Sequence, residues 1–164
     1  MAMRVLKHLF AQSAARLFPE AALHRIADAI AASEATHSGE ICFAVEPALH
    51  WRAALAGRSA RDRARDVFAE LRVWDTRANN GVLLYLLLAD HRIEIVADRG
   101  FNGLVSDEQW RGVCQLIEER LRAGEPEAAV IAGVQAMSAL LTQHFPRQAG
   151  EIDENELPNL PRML

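Results

Sequence analysis

The chain is short of sulfur, of aromatic side chains and of long apolar runs. Its two cysteines, Cys42 and Cys114, stand far apart among apolar neighbours, which argues against a disulfide scaffold and reads as two buried free thiols. One tyrosine and an aromatic content of 6%, with no basic stripe between the rings, offer no platform for stacking nucleic-acid bases. Cationic excess is missing as well: 18 lysines and arginines face 22 aspartates and glutamates, a net charge of −4. Nothing therefore draws the chain to phosphate backbones at long range. The longest apolar run, Val82 to Ala89, has eight residues, against the roughly 20 that a membrane-spanning helix needs. The opening MAMRVLKHLFAQSAARLFPE interrupts its apolar residues with charges and has no signal-peptide core. The expectation is a cytoplasmic protein with no transmembrane segment and no nucleic-acid partner. Phosphate-loop, dinucleotide, zincin and Cys-x-x-Cys motifs are all absent, which removes the NTPase, dehydrogenase, zinc-protease and redox classes.

What is present suits one soluble domain: 164 residues, 51% hydrophobic and 24% charged, enough for a single sizeable core. Residues 1–18 read as a short amphipathic helix packed on or flanking the domain, 19–146 as the domain itself, and 147–164, with Pro158 and Pro161, as a flexible tail. A second helix runs from Glu20 toward His37-Ser38-Gly39, with Leu23, Ile26, Ala27, Ile30 and Ala31 on one face. EICFAVEP, residues 40–47, suits a strand buried on both faces. After a loop at Gly57, residues 59–74 form a surface helix burying Ala60, Ala64, Val67, Phe68, Leu71 and Trp74. VLLYLLLA then reads as the central strand, and RIEIVAD, residues 92–98, as an alternating edge strand joined to it by a two-residue hairpin at Asp90-His91. Ser106 and Gln109 form a capping box opening one helix, and Pro126 opens another at its favoured first position. The sum is an α/β fold: a small mixed sheet covered by helices on both faces, a three-layer α/β/α sandwich with an extra N-terminal helix. The crossover helix makes the first two strands parallel.

A hairpin with Ala89 opposite Arg92 places Gly81 opposite Gly100, Asn80 opposite Phe101 and Glu94 opposite Leu87. Glu94 then reads as a partly exposed sheet residue paired with a basic group. The loops at 37–40, 75–81, 98–103 and 106–107 gather at one end of the sheet, with Glu40, Asp75, Asn79, Asn80, Asp98, Arg99, Asn102 and Asp107 among them. Carboxylate and amide oxygens on flexible loops are what calcium or magnesium selects; the candidate ligands are Asp75, Asn80, Asp98 and Asp107. Asp98 and Arg99 are the candidate catalytic pair, the arginine being apt for a phosphate. Each residue also has a plain structural reading: Asn79-Asn80-Gly81 as a turn, Asp107 as a helix-dipole partner, Asp98-Arg99 as a surface ion pair, His37 as an exposed loop histidine.

The segment NNGVLLYLLLADHRIEIVADRGFNGLVSDEQW, preceded by SGEICFAVE and a helix, resembles the TPM-domain family, which includes thylakoid repair factors and many bacterial proteins. The resemblance spans residues 20–145. It rests on the Ser38–Glu46 turn and strand, Asn80–Leu84, Asp90 with Arg92 at the hairpin, a glycine loop and Asp107 opening a helix. It implies a mixed sheet between helices, binding of a divalent cation (Ca2+ or Mg2+) in some members, weak acid-phosphatase activity in others, and a role in assembly or maintenance of membrane complexes, with another protein, membrane-associated, as the expected partner. Members usually carry a signal peptide and often a membrane anchor. This chain is thereby expected to be a cytoplasmic relative, peripheral to the inner face of the membrane. Two functions follow as expectations: an interaction and assembly module that binds a divalent cation, or a metal-dependent phosphomonoester hydrolase with Arg99 as phosphate clamp.

Overall fold

A computed structural model describes residues 3–4, 13–152 and 154–164. The chain runs α1 (Ala14–Leu17), α2 (Glu20–Glu34), β1 (Glu40–Glu46), α3 (Trp51–Leu55), α4 (Ala60–Glu70), β2 (Gly81–Leu87), β3 (Arg92–Ala97), a 3₁₀ turn (Arg99–Phe101), α5 (Asp107–Arg122), α6 (Pro126–His144) and β4 (Arg162–Met163). The sheet order is β3-β2-β1-β4. β1 is parallel to β2 and to β4, while β3 is antiparallel to β2.

β1 and β2 are buried along their whole length because both faces are covered. On one face Ile41, Phe43, Val45, Val82, Leu84 and Leu86 meet α2, α5 and α6 through Ile26, Ile30, Ile117, Val134, Met137 and Leu141. On the other, Cys42, Ala44, Leu83, Tyr85 and Leu87 meet α3 and α4 through Ala54, Ala60, Ala64 and Val67. Period-2 alternation thus sorts each strand between two cores. The mixed sheet, the three layers and the edge position of β3 are as expected.

Four details depart from the expectation. The hairpin pairs Val82 with Ala97 and Leu87 with Arg92, two residues away from the anticipated register. Leu88–His91 form a four-residue turn in which His91 takes φ +51°. A two-residue shift keeps every side chain on its face, so the cores survive, but Gly81 now neighbours Asp98 and Glu94 faces Tyr85. Second, α4 stops at Glu70, the chain turns at Arg72 with φ +55°, and Trp74 is 47% exposed with the Arg72 guanidinium over its ring. Third, residues 51–55, read as loop, form α3, capped at His50. Fourth, where a flexible tail was expected, Leu157 is buried and Arg162–Met163 add a strand beside β1. Of the anticipated N-terminal helix, Ala14–Leu17 is helical, and residues 5–12 lie outside the described residues.

Candidate functional site

The loops preceding β2 and following β3 are joined at one end of the sheet. Asp98 N–H donates to the Gly81 carbonyl at 2.9 Å and Gly100 N–H to the Asn79 carbonyl at 2.8 Å. The Arg99 Nε donates to Asn79 Oδ1 at 3.0 Å. A β-carbon on Gly100 would stand 2.4 Å from the Asn79 carbonyl oxygen, so only glycine permits this approach. Phe101 fixes the second loop to the helical layer through edge contacts with Trp110 and Phe145.

Within that junction Asp98 caps the 3₁₀ turn: its Oδ1 accepts from Arg99 N–H at 2.7 Å. Its Oδ2 is enclosed and has no donor. Asn80 is fully buried. Its N–H donates to Thr76 Oγ1 at 3.1 Å and its Nδ2 to the Ser38 carbonyl at 3.1 Å, tying the loop to the entry of β1. The Oδ1 of Asn80 is likewise enclosed without a donor. Counted along the strands, Asn80 continues the face of Val82 and Asp98 the face of Val96.

The other candidates stand apart. Asp75 is exposed and ion-paired with Arg72 at 2.7 Å. Asp107 is exposed in the first turn of α5, behind the Ser106 cap, where the helix dipole favours it. Arg99 is exposed beside Asp98. No contact among the described residues joins Asp75 or Asp107 to Asp98, and no three His, Cys, Asp or Glu side chains there come together as a metal cluster. Asp98 Oδ2 and Asn80 Oδ1 are oxygens of the kind a hard cation selects, but they continue opposite faces of the sheet, and Asp75, Asp98 and Asp107 do not come together. Glu94 pairs with Arg61 and Arg92, as a sheet residue should. His37, expected on the surface, is fully buried, its Nδ1 2.9 Å from the Gly39 carbonyl oxygen, because residues 37 and 146 bridge and close the helical layer over it.

Sequence reasoning passed over a buried network at the opposite end, where β1 and β2 terminate. Tyr85 Oη donates to Glu46 Oε2 at 2.6 Å, and Arg63 Nε donates to the same oxygen at 2.9 Å. Arg63 also bonds Glu70. Burial, then the Glu46 carboxylate, push the Tyr85 hydroxyl above its ordinary value. Beside it Arg4 grips Asp90 through Nε and Nη2 and reaches the Arg58 carbonyl. A lone tyrosine inside an otherwise aliphatic strand was the available signal, since a buried hydroxyl needs a partner. With the hydroxyl and the guanidinium both donating to one carboxylate oxygen, the Tyr85–Glu46–Arg63 network ties α4 to the sheet. The thiols offer no nucleophile: burial, reinforced by Glu40 and Glu34, pushes Cys42 up to about 12, and burial with Glu94 pushes Cys114 to about 11.

Comparison with known proteins agrees with this architecture. The BA42 protein from the psychrophilic bacterium Bizionia argentinensis is 29% identical, with a TM-score of 0.75 over 94% of this chain and 97% of that one. The N-terminal domain of a P. gingivalis protein shares the fold at 20% identity, with a TM-score of 0.65 over 83% of this chain and 85% of that one. No curated protein matches. Among the described residues no helix is long and apolar enough to cross a membrane. Residues 12–140 match the family described as the TPM domain, and the chain belongs to that family.

Proposed function

We propose that this TPM domain is an interaction and assembly module that binds one divalent cation, calcium or magnesium, at the Asp98 junction. In this reading it serves a membrane-associated protein partner from the cytoplasmic side. The observation that carries the reading is Asp98 Oδ2, a carboxylate oxygen withdrawn from water with no donor. Such an oxygen is costly to bury, and a hard cation is the partner that offsets the cost. Asn80 Oδ1, at the same end of the sheet but on the opposite face, is a second enclosed oxygen without a donor. Calorimetric titration of calcium, then magnesium, into chelator-treated protein tests it. Micromolar binding that weakens at least about tenfold in Asp98→Ala is the expected result, about 1.4 kcal/mol. No binding to either ion, or binding that Asp98→Ala leaves intact, overturns it.

A second reading, a metal-dependent acid phosphatase, is favoured by one feature: the exposed Arg99 guanidinium is steadied by Asn79 Oδ1 directly beside Asp98. A bound cation would polarise a phosphoryl group, and Arg99 would hold its oxygens in a fork. Metal-dependent turnover of p-nitrophenyl phosphate at acidic pH, lost in Arg99→Ala, supports this reading. Turnover at background level leaves the interaction module alone.

A further inference from the structure

The short helix α3 inverts the usual burial of an amphipathic helix. Its small residues face the domain: Ala54 is buried in the core that holds Ala60 and Ala64, and Ala53 is half-buried against it. Its large apolar residues face out, Trp51 being 45% and Leu55 49% exposed. The two stand at i and i+4, so they lie on one face of the helix, one turn apart. A helix shaped only by its own domain would bury that pair and leave the alanines to solvent.

Cationic groups stand around the pair. The Arg52 guanidinium lies over the Trp51 ring, 5.2 Å from its centroid, and among the described residues no carboxylate pairs with it. The His50 ring is 5.8 Å from the same ring, centroid to centroid. Arg58, exposed just past the helix, pairs with Asp66, and Arg4 donates to the Arg58 carbonyl at 2.7 Å. From Ala48 to Arg61 the chain has three arginines and no acidic residue, although its net charge is −4. The other exposed tryptophan differs: the arginine over the Trp74 ring is tied to Asp75, and no other large apolar side chain among residues 70–78 is exposed.

We propose that the Trp51–Leu55 face of α3 docks this protein on an anionic lipid surface, with both side chains entering the headgroup boundary and Arg52 meeting lipid phosphates. Tryptophan is favoured at that boundary because its ring is apolar and its N–H polar. Arginine keeps its charge among the headgroups while its stem covers apolar surface, and negative lipids attract the locally cationic tip. A protein partner would need about 800 Å2 on each side, more than a five-residue helix presents, whereas a bilayer takes up single side chains. Two apolar residues make a contact weaker than one myristoyl chain, so the docking is reversible and assists other contacts. The inference is independent of a cation at Asp98.

Co-sedimentation of the full chain with vesicles of phosphatidylcholine and phosphatidylglycerol in about equal parts, at about 1 mM lipid and low salt, tests it. The expected result is a bound fraction that drops in pure phosphatidylcholine and at about 1 M salt, with a blue shift of tryptophan emission on binding. Trp51→Ala combined with Leu55→Ala should bind at least about fivefold more weakly, and Arg52→Glu about fivefold. Trp74→Ala should bind as the parent does and keep the blue shift. Because the substituted side chains are exposed, the unfolding midpoints of these variants should match the parent. No sedimentation with the mixed vesicles overturns the proposal and assigns α3 to a protein partner. Sedimentation that the double variant leaves unchanged also overturns it, assigning vesicle binding to charge elsewhere on the surface.

Discussion

At the first residue of β2, a β-carbon on Gly81 would stand 2.0 Å from the Val73 carbonyl oxygen. The loop that carries Val73, Asp75 and Asn80 is laid directly over that backbone, so the site's geometry depends on a missing side chain. Gly112 is the opposite case. It sits inside α5 with open space where a β-carbon would go, and there glycine only adds unfolded-state freedom. Gly81→Ala should destabilise by about 1–3 kcal/mol through overpacking, whereas Gly112→Ala should stabilise by about 0.5–1 kcal/mol. Urea unfolding reads both: midpoints moving in opposite directions with unchanged slopes are expected. A shift of the same sign in both variants contradicts the argument. Asp98 was legible from sequence as an oxygen-bearing residue at the loop end, but its single unbonded oxygen was not. Which of two carboxylate oxygens meets a neighbouring N–H is decided by the 3₁₀ turn that follows it.

Among the elements, α5 is the one whose sequence and structure agree most closely. Ser106 Oγ accepts from Gln109 N–H and Gln109 Oε1 accepts from Ser106 N–H, with Asp107 and Glu108 in the first turn. Ser106→Ala should cost about 1 kcal/mol and speed amide exchange in the first turn of α5 while leaving α6 unaffected. Equal loss of protection in both helices would show that the cap acts on the whole layer instead. Local signals of this kind made α5, α6 and the doubly buried strands readable. They failed at α3, too short to show a period, and at β4, where two residues after Pro161 carry no strand signal of their own. β4 exists because the β1 edge offers unpaired carbonyls, a condition more than a hundred residues away in the chain. The hairpin slipped for a related reason: a four-residue turn and a two-residue turn preserve the same alternation, so periodicity cannot choose between them.

For the molecule as a whole, the buried thiols couple folding to pH. Cys42 is held protonated up to about 12 and Cys114 up to about 11, burial being the main cause in both. In the unfolded chain a thiol ionises near about 8.5. Above that pH the unfolded state binds fewer protons than the folded one, so stability is fully present below it and declines as pH rises toward the folded values. Urea unfolding between about pH 8 and about pH 10 should show falling stability, with a shallower decline in Cys42→Ala. Parallel declines in the two proteins would assign the effect to other groups.

Composition and pattern by themselves determined the class of this protein: a single α/β domain with a mixed sheet between helical layers and a TPM-like order of elements. Hydrophobic period, caps and turn residues act over a few positions and can be read along the chain. Tertiary structure alone decided that Asp75, Asp98 and Asp107 do not meet, that Tyr85 and Glu46 do, and that residues 154–164 close the sheet. Those outcomes depend on register, on burial and on which backbone groups remain unpaired once distant segments have packed, and no local stretch of sequence contains them.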